Sequence, residues 1–94
     1  MNTPLSKNCE PLLRMCRNDD VLRTFRYGRT TLHNRIKDGL MTPPINLGGR
    51  AVGFLESEVQ AVLQAFVAGL THDQIKDLVV ELVNDRKSIG VRHQ

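Results

Sequence analysis

Tryptophan is absent from this chain of 94 residues, and three phenylalanines and one tyrosine are its whole aromatic complement. With 40% apolar residues, the core must be small and largely aliphatic, enough for one domain. No apolar run approaches the length needed to cross a membrane. The N-terminus is polar, carries Pro4 and has no hydrophobic stretch, so no signal peptide is expected. Cysteine is scarce: Cys9 and Cys16 are too far apart for a Cys-x-x-Cys site and lack a second pair, and they read as reduced thiols of a cytoplasmic protein. His33, His72 and His93 are scattered, which predicts neither metal nor cofactor. No triad, paired-carboxylate or phosphate-loop pattern occurs, and Gly48-Gly49 lacks the flanking spacing of a nucleotide-binding loop. His33 has no nucleophile or orienting acid placed with it, so catalysis is not expected.

What the chain does have is charge sorted by position. Residues 1–54 hold nine Lys/Arg against four acids, a net of +5, and residues 55–94 hold four against six, a net of −2; together they give the +3 of the whole chain. Positive charge therefore accumulates on one half, as an electrostatic footprint for nucleic-acid phosphate should.

That half contains the most informative stretch, RTTLHNRIKDGLMTPPINLGGRAVGF from Arg29 to Phe54. Leu32 and Ile36, four apart, can anchor a helix from Arg29 to Asp38 on a core. Its opposite face carries Thr30, Asn34 and Lys37, with His33 and Arg35 on the flanks, and Gly39 supplies the stop. Hydroxyl, amide and cationic donors suit a major groove, where bases show acceptors and phosphates line the rims. Such a face is also what any solvated surface helix shows; the segment that follows is more specific. Pro43-Pro44 starts an extended run. Ile45 and Leu47, then Val52 and Phe54, alternate as strands, Gly48-Gly49 permits a tight turn, and Arg50 falls at the tip. Helix and hairpin read as the recognition helix and wing of a DNA-binding domain.

Around this unit, residues 1–11 read as a flexible N-terminus and Leu12–Met15 as a short strand. Asp19 or Asp20 can cap a first helix, Val21 to about Phe25, and Arg26-Tyr27-Gly28 makes the turn. Glu56 opens a helix with acids in its first turn, a stripe of Val59, Val62, Leu63, Phe66 and Val67, and a stop at Gly69. Thr71 and Gln74 form a capping box for a last helix ending near Arg86, with residues 87–94 as a flexible tail. The apolar side of that helix, Ile75, Leu78, Val79, Leu82 and Val83, exceeds what a compact core needs, and an exposed aliphatic stripe marks a partner. Self-association is therefore expected through it. GLTHDQIKDL at 69–78 resembles the first helix of a second helix-turn-helix, but no second helix follows.

LLRM at 12–15, VL at 21–22, YGRTTLHNRIKDGL at 27–40 and PPINLGGRAVGFLESEV at 43–59 resemble the AlpA family of small phage and mobile-element regulators, relatives of excisionases. The resemblance implies a mainly α fold with a small β-hairpin wing: a MerR/excisionase-like winged helix-turn-helix over residues 12–69, with the strand beside the wing and residues 70–86 as an additional C-terminal helix. This chain departs from the family where Thr-Gly and a capping Ser usually precede the recognition helix; those places hold Phe25, Arg26 and Gly28. About three residues more than expected lie between Met15 and Val21, and residues 70–94 extend past the family's usual end.

The expected partner is double-stranded DNA, with Arg26, Arg29, Lys37 and Arg50 on phosphates and Thr30, Asn34 and His33 or Arg35 on base edges. The resemblance implies one of two outputs: activating integrase or excision genes, or directing recombination as an excisionase. A homodimer through the last helix and an integrase or other DNA-bound protein are further expected partners. The rival reading is a protein-interaction module that binds another regulator through its C-terminal helix.

Overall fold

The computed structural model describes residues 13–91; the expectations for the N-terminal segment, Leu12, Cys9 and His93 lie outside the described residues. Strand β1 is Met15–Cys16, followed by helices α1, Asn18–Phe25, and α2, Arg29–Lys37. The hairpin strands are β2, Ile45–Gly48, and β3, Ala51–Leu55, and helices α3, Glu56–Val67, and α4, His72–Val91, complete the chain. The sheet is antiparallel in the order β1-β3-β2, with Met15 opposite Leu55 and Cys16 opposite Phe54. This is the expected winged helix-turn-helix.

Helix α1 begins three residues before the expected Val21, which takes up part of the extra length between Met15 and Val21. Asp20 acts as a third-position acceptor, not as the cap itself: its Oδ2 accepts the backbone N–H of Arg17 at 3.0 Å. That hydrogen bond, then the Arg23 guanidinium 2.8 Å away, hold the Asp20 carboxyl below its usual range. The turn into α2 is made by Arg26 in the left-handed region (φ 61°). Gly28 then caps α2 without a side-chain bond, so the helix starts at Arg29 as expected.

One core joins every helix. Val21 from α1, Leu32 from α2, Leu40 and Met41 from the link, Phe54 from β3, Val59, Val62 and Ala65 from α3, and Ile75 and Val79 from α4 form a single buried cluster. Sheet geometry adds one close approach. A Cβ on Gly53 would sit 3.1 Å from the Cys16 carbonyl and 3.3 Å from the Met15 methyl, so any larger residue would have to push β1 back by a few tenths of an ångström.

Further details differ from the sequence reading, and the strand expected at Leu12–Met15 is Met15–Cys16. Leu47 and Val52 are half exposed, because Leu47 is an extra residue on β2: Asn46 pairs with Val52 and Gly48 with Ala51. Val67 is 79% exposed; Ala65 takes its place in the stripe. Helix α4 runs through Val91, past the expected end near Arg86. No proline interrupts this stretch, and Arg86 is held by Glu58. The reciprocal bonds of its start are in place, Thr71 N–H to Gln74 Oε1 at 2.9 Å and Gln74 N–H to Thr71 Oγ1 at 3.2 Å.

The expected self-association stripe faces inward. Ile75 is fully buried and Val79 is 6% exposed, while Leu78, Leu82 and Val83 pack partly against the same cluster. Helix α4 is thus a wall of the one core, because its heptad-like spacing puts all five residues on the side that meets α3. Among the described side chains of α4, Val80 is the exposed large apolar one.

Candidate nucleic-acid interface

Helix α2 and the hairpin flank a shared cleft of about 220 Å³, lined by Asn18, Arg29, Leu32, His33, Ile36, Pro44, Val52 and Phe54. Leu32, Ile36 and Phe54 form its apolar floor. Arg29 and His33 rise on the α2 side, and Pro44 and Val52 on the wing side. The Arg29 side chain is 82% exposed and lies 4.0 Å from Asp19, too long and too open to hold it. Thr30, His33, Asn34 and Lys37 are all exposed. At 100° per residue Thr30, Asn34 and Lys37 project along one line, and His33 turns toward the wing.

Arg35 is placed elsewhere. Three residues from buried Leu32, it lies half buried with its guanidinium 5.6 Å from the Phe66 ring centre. Phe66 meets Phe25 edge to face at 6.3 Å, and Phe25 stacks on Tyr27 at 5.2 Å. Burial pushes the Tyr27 phenol above its ordinary value, and the Arg35 charge opposes the shift. Arg35 therefore joins α2 to α3 through a cation–π contact, and its expected place on a base edge is not supported by this geometry.

At the hairpin tip Gly48 (φ 108°) and Gly49 (φ 56°) take the left-handed conformations the turn needs. Asn46 Oδ1 accepts the Gly48 N–H at 2.8 Å, which braces the bulge from below. Arg50 is left with ordinary backbone and an exposed side chain. At the other end of α2, Arg23, Arg26, Tyr27 and Gly28 line an open hollow beside the helix start. Arg26 is exposed there. The sequence pattern alone does not single out Arg23, Asn18 or Asn46. The Asp20–Arg23 spacing of three was the legible signal for Arg23; nothing local pointed to Asn18.

The remaining chemistry is sparse. Burial, then the carboxylates of Glu56 and Asp20, push the Cys16 thiol above its ordinary value, the opposite of what an activated thiolate needs. Among the described residues, no group of three or more His, Cys, Asp or Glu could hold a metal. Also among them, no helix is long and apolar enough to cross a membrane.

Comparison with known proteins agrees with this geometry. The family described as the prophage CP4-57 regulatory protein (AlpA) matches residues 14–65, more than half of the chain. The chain belongs to the AlpA family. The match runs from β1 through α1, α2 and the wing to Ala65 of α3, and leaves α4 outside. AlpA proteins are phage-type DNA-binding regulators. The chain is also 34% identical over 56 residues to the uncharacterized protein ORF88 of Enterobacteria phage P4, covering 60% of this chain and 64% of that protein. No solved structure matches.

Proposed function

We propose that this AlpA-family protein binds double-stranded DNA sequence-specifically and controls the excision of an integrated phage or mobile element. It does so either by activating integrase or excision genes or by acting on attachment-site DNA as a recombination directionality factor. The observation that carries the reading is the cleft between α2 and the wing, with Arg29 and His33 on one wall and Arg50 exposed at the end of the other. A sugar-phosphate strand running along such a cleft meets cations from both sides. Arg26, Arg29, Lys37 and Arg50 hold phosphates and fix register; Thr30, Asn34 and His33 meet base edges. An integrase bound nearby is a natural partner. Self-association through α4 would have to use Leu78, Leu82 and Val83, since Ile75 and Val79 are spent on the core.

Gel retardation of genomic fragments, titrated with salt, tests this. Four or five phosphate contacts predict a slope of log K against log salt of about −4, at roughly 0.9 per contact. Arg50→Ala should weaken cognate and random DNA alike and flatten the slope by about 0.9. An unchanged slope would remove the wing tip from the backbone.

Arg26 allows a test in which stability and binding move apart. A left-handed non-glycine residue costs roughly 1–2 kcal/mol, and glycine returns about 0.4–1 kcal/mol through the freer unfolded chain. Arg26→Gly should therefore hold or raise the melting temperature while lowering DNA affinity and the salt slope. A variant that lost both together would show that Arg26 braces the turn and does not serve the phosphate.

A further inference from the structure

The C-terminal helix reaches the segment leading into the wing through Arg86. Glu58, in the first turn of α3, is 3% exposed. Its Oε2 accepts Arg86 Nε–H at 2.8 Å and its Oε1 accepts an Arg86 η-nitrogen at 2.6 Å. The same η-nitrogen donates to the Pro43 carbonyl at 2.9 Å. Such a buried pair is weak evidence for stability, since apolar side chains of similar volume often serve as well. What it supplies is direction. Pro43 and Pro44 both have fixed φ, and each forces the residue before it into extended backbone. The run from Thr42 to Pro44 is therefore a stiff lever, rooted in buried Met41 and Thr42 and ending at the first residue of β2. Holding one carbonyl of that lever sets the heading of the hairpin. Pro44 is also part of the cleft wall that faces Arg29 and His33.

We propose that Arg86 is a positioning residue for DNA recognition: through the Pro43 carbonyl it fixes the separation of the wing from α2. The helix outside the family match thus belongs to the DNA-binding apparatus. This rests on the DNA-binding reading above. It assigns Arg86 no contact with DNA.

Glu58→Met combined with Arg86→Met tests it, because it removes the clamp without leaving one buried charge alone. Salt titrations of DNA binding are compared for the wild type, the clamp variant, and each carrying Arg50→Ala, at a temperature where circular dichroism shows all four folded. In the wild type Arg50→Ala lowers the slope by about 0.9. In the clamp variant the slope is already lower by that amount, and Arg50→Ala adds nothing. A folded clamp variant with the wild-type slope and the full Arg50 effect overturns the inference, leaving the pair a packing feature. If the double variant does not fold, the same comparison is made on Arg86→Lys. One ammonium cannot span carboxylate and carbonyl as the guanidinium fork does, so the Arg50 effect should shrink; an undiminished effect overturns the inference. Absence of any retardation by the wild type overturns the DNA-binding reading and this inference with it, whereas normal wild-type binding beside an unchanged clamp variant overturns this inference alone.

Discussion

Val79→Glu should strongly destabilise the fold, not release a folded monomer. Val79 is 6% exposed and belongs to the cluster of Val59, Val62 and Ile75. A carboxylate there is buried among aliphatic groups, and Arg86 is already committed to Glu58 and Pro43. Leaving such a charge uncompensated costs roughly 3–5 kcal/mol, against a total stability of roughly 0.05–0.15 kcal/mol per residue. Burial would hold the new carboxyl protonated, with a folded-state pKa above the unfolded value of about 4.3, so the loss deepens as pH rises through that range. The control is Val80→Glu, one residue on and 58% exposed, which should change stability by no more than about 0.5 kcal/mol. Thermal melts at several pH values, run beside sedimentation, decide the matter. A Val79→Glu chain that melts like the wild type but sediments at lower mass would return α4 to the role of a dimer surface.

Asn34→Ala should separate reading from holding. Asn34 is exposed at the middle of the α2 face that carries Thr30 and Lys37, and a carboxamide can pair with both groups on the major-groove edge of adenine. Its loss should cost about 1–3 kcal/mol on the cognate site and little on random fragments. The melting temperature should not move, because no side-chain hydrogen bond within the described residues depends on it. Fluorescence anisotropy with both kinds of DNA provides the comparison. Equal losses on the two would make Asn34 a phosphate contact, and a lowered melting temperature would make it structural.

Arg35 shows where reading the sequence reached its limit. Helical spacing put it on the flank of α2, and a flank residue can turn outward or inward. Phe66 decided the direction, and it lies 31 positions along the chain on α3, where no local pattern connects the two. Leu47 is a similar case. Alternation with Ile45 predicted an inward side chain, but the bulge braced by Asn46 breaks the alternation, and bulges leave almost no trace in an apolar–polar pattern.

The elements themselves were legible because their causes are local. Glycine at 39 and 69, the Thr71–Gln74 capping pair, Pro43-Pro44 and Gly48-Gly49 act on backbone within a few residues of themselves, so the order of helices, the wing and the exposed Arg50 follow from the sequence alone. The exposed face of α2 follows too, since a helical repeat assigns Thr30, Asn34 and Lys37 to one side once Leu32 and Ile36 are inside. Tertiary structure alone decided which apolar surface is satisfied and which charges are tied. The five apolar residues of α4 read as a surplus until α3 was placed against them. Arg86, at the expected end of the last helix, joins Glu58 to Pro43 across 28 and 43 positions of sequence. Burial and ion pairing between distant segments depend on how the whole chain closes, and no window of sequence contains that information.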